Sequence, residues 1–172
     1  MAPEGSRDEE TAPEGERIYS RYGVEMQSAR SRATVRGMDD FWIKALGMGA
    51  RDQQLPDDWS GVGEGLFHNA VTFAGRSGMR PGDGIVLYAS GTGVFFAVGE
   101  VTSFPYRFEE AGATDWPWRV NVKLAQAREF LHDGVPLNML NIDGRDVPKT
   151  IKRRSHIRLS EREYEAAVSA LS

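Results

Sequence analysis

The chain has 172 residues, with 21 basic and 25 acidic side chains, a formal net charge of −4 and no cysteine. Hydrophobic residues at 40% permit a buried core, yet no apolar run approaches the roughly 20 residues that a membrane-spanning helix needs. The missing cysteines exclude disulfides, thiolate metal sites and thiol nucleophiles, and the net acidity excludes a uniformly basic nucleic-acid coat.

Residues 1–38 carry two Ala-Pro-Glu-Gly copies, Ala2–Gly5 and Ala12–Gly15, and few sizeable apolar side chains, so they predict a disordered leader. A folded domain is expected over 39–172, with Met38 as an alternative translation start. Because no apolar stretch near Met1 resembles a signal peptide, a cytoplasmic protein is the expectation.

Phe41–Leu46 is aromatic and β-branched and stops at Gly47, which predicts a first strand. Apolar residues at 66, 67, 70, 71 and 73 approach helical spacing and predict a short helix ending near Gly75. Met79–Gly84 contains Pro-Gly-Asp-Gly and reads as a turn leading into a buried strand, Ile85–Ala89. Gly91-Thr92-Gly93 then reverses the chain into a returning strand, Val94–Val101. After a long connection, Trp118–Leu124 alternates apolar and polar residues, as a strand with one wet face does. Pro136–Leu140 and Val147–Ile151 predict short helical turns, and Ser160 with Glu163 has capping-box spacing ahead of a last helix. Strands in the middle with helices towards the end predict an α+β fold on a small, curved antiparallel or mixed sheet.

Charge is divided unevenly. Residues 39–118 carry 5 basic and 11 acidic side chains, whereas 119–158 carry 9 and 4. Within the second stretch, Lys149, Lys152, Arg153, Arg154 and Arg158 follow one another with no acid between them, a candidate phosphate-binding cluster whose bland alternative is a solvated surface. His68, His132 and His156 show no HxH or HExxH spacing, so no metal is expected, nor any other cofactor. Gly61–Gly65 lacks the Lys-Ser/Thr of a phosphate loop, and Ser90 lacks the glycine two positions before it that a nucleophile elbow requires. No catalytic residue is assigned. The four tryptophans at 42, 59, 116 and 118 are chiefly core candidates, but Trp42 and Trp118, on strands at loop edges, suit a base-stacking pocket, with Asn69 and Ser90 to meet a base edge.

The order of these segments resembles an EVE domain, of the PUA-like superfamily that also holds the YTH and ASCH domains. The resemblance covers about residues 40–171. It rests on Phe41-Trp42-Ile43, on Gly65-Leu66-Phe67-His68-Asn69, on Met79 through Ser90 with its Gly-Asp and Tyr-x-Ser, on Val98-Gly99-Glu100-Val101, and on Trp118-Arg119-Val120-Asn121-Val122-Lys123. It implies a small PUA-like β-barrel of about five or six strands flanked by short helices. It also implies a cleft in which Trp42, Asn69, Tyr88, Ser90 and Trp118 receive a methylated or hydroxymethylated base of DNA or RNA. Ala70 and Ala89 depart from the Tyr and His that many relatives carry at those places. Two other functions stay open: a small ASCH-like ribonuclease or hydrolase, for which Lys44 and Asn69 are the nearest chemical groups, and a protein-interaction adaptor.

Overall fold

The computed structural model describes residues 38, 40–47, 54–59, 69–109, 116–152 and 154–172. The leader over 1–38 therefore lies outside the described residues, Met38 apart. Eight strands are found among the described residues: β1 (Phe41–Leu46), β2 (Ala70–Phe73), β3 (Gly84–Ala89), β4 (Val94–Val101), β5 (Tyr106–Arg107), β6 (Trp118–Ala127), β7 (Val135–Pro136) and β8 (His156–Leu159). Six of them form one path, β2-β6-β4-β3-β1-β8, with β5 and β7 as short additions to β6 and β4. Only β1 and β3 run parallel; the other pairs are antiparallel, so the sheet is mixed.

All six residues of β1 are buried, because it lies between β3 and β8 and both of its faces are covered. Its period-two alternation sends Phe41, Ile43 and Ala45 to one side and Trp42, Lys44 and Leu46 to the other. The first side packs under helix α2 (Glu161–Leu171), where Phe41 stacks on Tyr164 at 4.8 Å and the Tyr164 hydroxyl donates to the Gly99 carbonyl at 2.9 Å. The second side faces a separate apolar cluster that includes Trp59, Phe73, Leu87, Phe96 and Val120. One sheet thus divides two cores.

Local chemistry agrees with several expectations. Gly82 adopts φ +94°, and Asp83 accepts from the Arg80 amide at 2.9 Å, which closes the turn that launches β3. At Gly99 the pairing register shifts against β6, and an added Cβ would lie 2.3 Å from the Lys123 carbonyl oxygen, so only glycine fits this bulge. Ser160 accepts from the Glu163 amide while the Glu163 carboxylate accepts from the Ser160 amide, completing the capping box of α2. Glu163 is buried, and Arg145 neutralises it. Helix α1 (Val147–Ile151) and the turn at Leu137–Leu140 match the two short helical segments.

Several segments differ from expectation, among them the short strands β5, within the expected long connection, and β7, which takes Pro136 from the expected turn at Pro136–Leu140. Residues 70–73, expected to end a helix, form β2, because Val71, Thr72 and Phe73 complete the open edge of β6 and sheet pairing overrides their near-helical spacing. The earlier part of that helix, 66–68, lies outside the described residues. β6 continues three residues past Leu124. His156–Leu159, expected only as part of a basic stretch, is an edge strand with Ile157 and Leu159 buried and Arg158 exposed. No helix among the described residues is long and apolar enough to cross a membrane.

Candidate functional site

The sheet curls until its two ends meet. β2 and β8 stand at opposite ends of the strand order, yet the Phe73 ring of β2 meets the His156 ring of β8 edge-on at 5.1 Å. The fold is therefore a small, barrel-like α+β sheet with a seam. The seam's side chains follow from register. In the β1/β8 pair Trp42 stands opposite Arg158 and Lys44 opposite His156, and in the β2/β6 pair Phe73 stands opposite Trp118; cross-strand partners share a face.

Aromatic rings and cations alternate along the seam. The Lys44 ammonium lies 4.9 Å from the Phe73 ring and 5.3 Å from that of Trp116. His156 lies 5.7 Å from Trp42, the Arg158 guanidinium covers the Trp42 ring at 4.9 Å, and that of Arg76 covers Trp118 at 5.8 Å. Trp42 is locked in place because its Nε1–H donates to Asp83 Oδ2 at 2.8 Å. Trp116 and Trp118 are partly exposed and form the outer wall.

Lys44 is 2% exposed, and its Nζ donates to the Ala45 carbonyl at 2.8 Å. Burial brings its pKa down to about 7, so the amine changes charge near neutrality. Burial, and then the positive charge of Lys44, lower the pKa of His156, whose Nδ1 lies 2.9 Å from the Ser155 hydroxyl. An imidazole with a lowered pKa and a titrating amine thus sit side by side among the rings of Trp42, Phe73 and Trp116.

The five residues expected to share a pocket divide between the faces of the sheet. Trp42 and Trp118 belong to the seam. Tyr88 and Ser90 instead line a cleft of about 290 Å³ with Ala45, Pro148, Ile151 and Lys152, beside α1. Alternation along β3 puts the Tyr88 side chain with Val86 against the helix-side core, and the Ser90 hydroxyl donates to the Gly47 carbonyl at 2.7 Å. Asn69 is exposed immediately before β2. Of the cationic cluster, Lys149, Lys152 and Arg154 are exposed, Arg158 pairs with Asp40 at 3.0 Å while covering Trp42, and Arg153 lies outside the described residues.

Phe73, Trp116 and His156 join the seam although the sequence does not single them out as site residues. For Lys44 a signal exists: in Phe-Trp-Ile-Lys-Ala-Leu it alternates onto the face of Trp42. Phe73 and His156 can be found only once β2 and β8 are known as strands. Among the described residues no His, Asp and Glu gather in a metal-binding group. His132 pairs with exposed Asp57 at 2.6 Å, away from the seam, and its pKa is raised by that bond.

No protein-family model matches the chain, and no curated protein matches it. Among solved structures it is similar to an NMR structure of a Rhodopseudomonas palustris protein, with 16% identity, 77% of this chain and 93% of that one covered and a TM-score of 0.46. It is also similar to a hypothetical protein from Leishmania major, with 18% identity, 76% and 92% covered and a TM-score of 0.45. A crystal structure of an Agrobacterium tumefaciens protein is similar at 16% identity, with 77% and 93% covered and a TM-score of 0.43.

Proposed function

We propose that the chain is a PUA-like, EVE-type module that binds DNA or RNA and takes a modified base against the aromatic seam. The observation that carries this reading is the alternation of guanidinium groups and indole rings at Trp42 and Trp118. Rings offer stacking surface worth about 1–3 kcal/mol per base, and cations beside them are placed to reach the flanking phosphates. Unstacking an extruded base costs a few kcal/mol, which these contacts are of the right size to offset. Tyr88 and Lys152, in the cleft beside α1, are then available to a neighbouring nucleotide rather than to the same base, with Ser90 Oγ able to accept a bond but not to donate one.

Fluorescence anisotropy of the full chain with matched DNA and RNA oligonucleotides, unmodified and modified at one cytosine or adenine, tests the reading. Trp118→Ala, at a partly exposed position, is expected to weaken the preferred oligonucleotide about tenfold or more and to leave the fold intact. Equal binding by wild type and Trp118→Ala would overturn the seam as the base site.

A second reading, an ASCH-like hydrolase, is favoured by one feature: the Lys44 amine titrates near neutrality beside His156. Turnover of RNA or of a modified nucleoside by wild type, abolished by Lys44→Met, would replace the binding reading with this one.

A further inference from the structure

Lys44 has three N–H donors, and the partner of its Nζ among the described residues is the Ala45 carbonyl. No described carboxylate is within ion-pair distance of it. Asp40 is engaged by Arg158, and Asp83, fully buried, takes the Trp42 indole and the Arg80 amide on Oδ2 while its Oδ1 has no partner among the described residues. Phe73 and Trp116 stabilise an ammonium between them, but two ring faces do not replace the hydrogen bonds given up on leaving water. A buried amine with unused donors and, among the described residues, no counter-charge is suited to a partner that a ligand brings.

The neighbours determine what that partner is. Among the described residues, the titratable and charged groups at the seam are Lys44 on β1, His156 and Arg158 on β8 and Arg76 ahead of β3, with Asp40 paired to Arg158 and Asp83 bound to the Trp42 indole. An aromatic cage of this kind would ordinarily take a methylammonium or another cation. Here the chain's own ammonium occupies that position, so an incoming cation is repelled and a methyl group leaves the donors unsatisfied. A carboxylate accepts from the amine and neutralises it.

Resting on the base-binding reading above, we propose that the seam selects a base bearing an exocyclic carboxylate, and that Lys44 is the residue that selects it. Rings at Trp116 and Trp118 stack on the heterocycle, and the Lys44 ammonium receives its carboxylate.

The test uses oligonucleotides that differ only at one cytosine, which is unmodified, methylated, hydroxymethylated or carboxylated, with wild type, Lys44→Met and Lys44→Arg. Wild type is expected to prefer carboxylcytosine over methylcytosine at least about tenfold, the size of one charge-assisted hydrogen bond. Lys44→Met, which fills similar volume without charge, should lose that preference, and Lys44→Arg should keep part of it. A wild-type preference for methylcytosine or hydroxymethylcytosine, or a carboxylate preference unchanged in Lys44→Met, would overturn the inference while leaving base reading intact. Free carboxylcytosine in a thermal-shift assay separates the two levels. If it stabilises wild type but not Lys44→Met while no oligonucleotide binds, the carboxylate site stands and the nucleic-acid reading falls. If neither probe binds, both fall.

Discussion

At the scale of single residues, Lys44 is where burial and charge conflict most sharply. Its pKa of about 7 in the folded chain lies below the ordinary 10.5, so between these values the unfolded chain binds more protons and stability rises with pH. Below about pH 7 the amine is charged in both states and the full burial cost applies, roughly 5 kcal/mol by linkage and less after local relaxation. Lys44→Met is therefore expected to raise the stability at pH 6 by about 1–4 kcal/mol and to flatten the pH profile between 7 and 10. Urea unfolding of both proteins at pH 6, 8 and 10 checks this. A variant less stable than wild type at pH 6 would show that the ammonium is well compensated inside the seam. His156 adds in the same direction at lower pH: its pKa is depressed, so stability is present above the ordinary histidine value and falls as pH drops through it.

At the scale of elements, α1 and the residues after it present the cations. Asp146 caps α1 by accepting from the Lys149 amide at 2.9 Å, Pro148 occupies its first turn, and Val147 and Ile151 face the core while Lys149 and Lys152 face outward. Lys152→Glu combined with Arg154→Glu should leave the circular dichroism unchanged, because both side chains are exposed. It should weaken nucleic-acid binding and reduce the slope of log K against log salt by about 2, one for each phosphate that the two cations no longer neutralise. An unchanged slope would assign the cluster to solvated surface. The same region shows how far the sequence discloses the fold. Val147–Ile151 and the Ser160–Glu163 box are legible because caps and proline act locally. The strand at His156–Leu159 is not, although Ile157 and Leu159 alternate with Arg158, because four residues beside a run of cations carry too little period-two signal to stand out. β2 departs from its helical expectation for a related reason: four residues next to glycine-rich chain take their structure from the free edge of β6, which is a non-local partner. The candidate site depends on both strands. Trp42 and Trp118 are legible as rings on strands, and alternation along β3 already separates Val86, Tyr88 and Ser90 from Ile85, Leu87 and Ala89; what spacing does not disclose is the parallel β1/β3 register, which puts Trp42 on the face of Ile85 and Leu87, opposite Tyr88.

At the scale of the whole molecule, the curl of the sheet makes the two ends of the strand order neighbours, and that closure is what creates the seam. An open sheet with the same hydrogen bonds would leave Lys44 facing water and scatter the aromatic rings over one broad face. Closure depends on contacts between side chains rather than on backbone pairing across the gap, since β2 pairs with β6 and β8 with β1. The Phe73–His156 contact, with the Lys44 ammonium over the same Phe73 ring, forms the bridge and predicts coupling between segments far apart in strand order. In His156→Ala the ring is removed, and amide exchange is expected to accelerate in β2, at Val71–Phe73, as well as in β8. β3 and β4, buried over Gly84–Leu87 and Phe95–Gly99 and with partner strands on both sides, should remain the slowest to exchange. Hydrogen–deuterium exchange measured by mass spectrometry over matched peptides separates the cases. Acceleration confined to β8 would mean that the ends of the sheet touch without supporting one another, and the seam would then be a groove held open by its own strands.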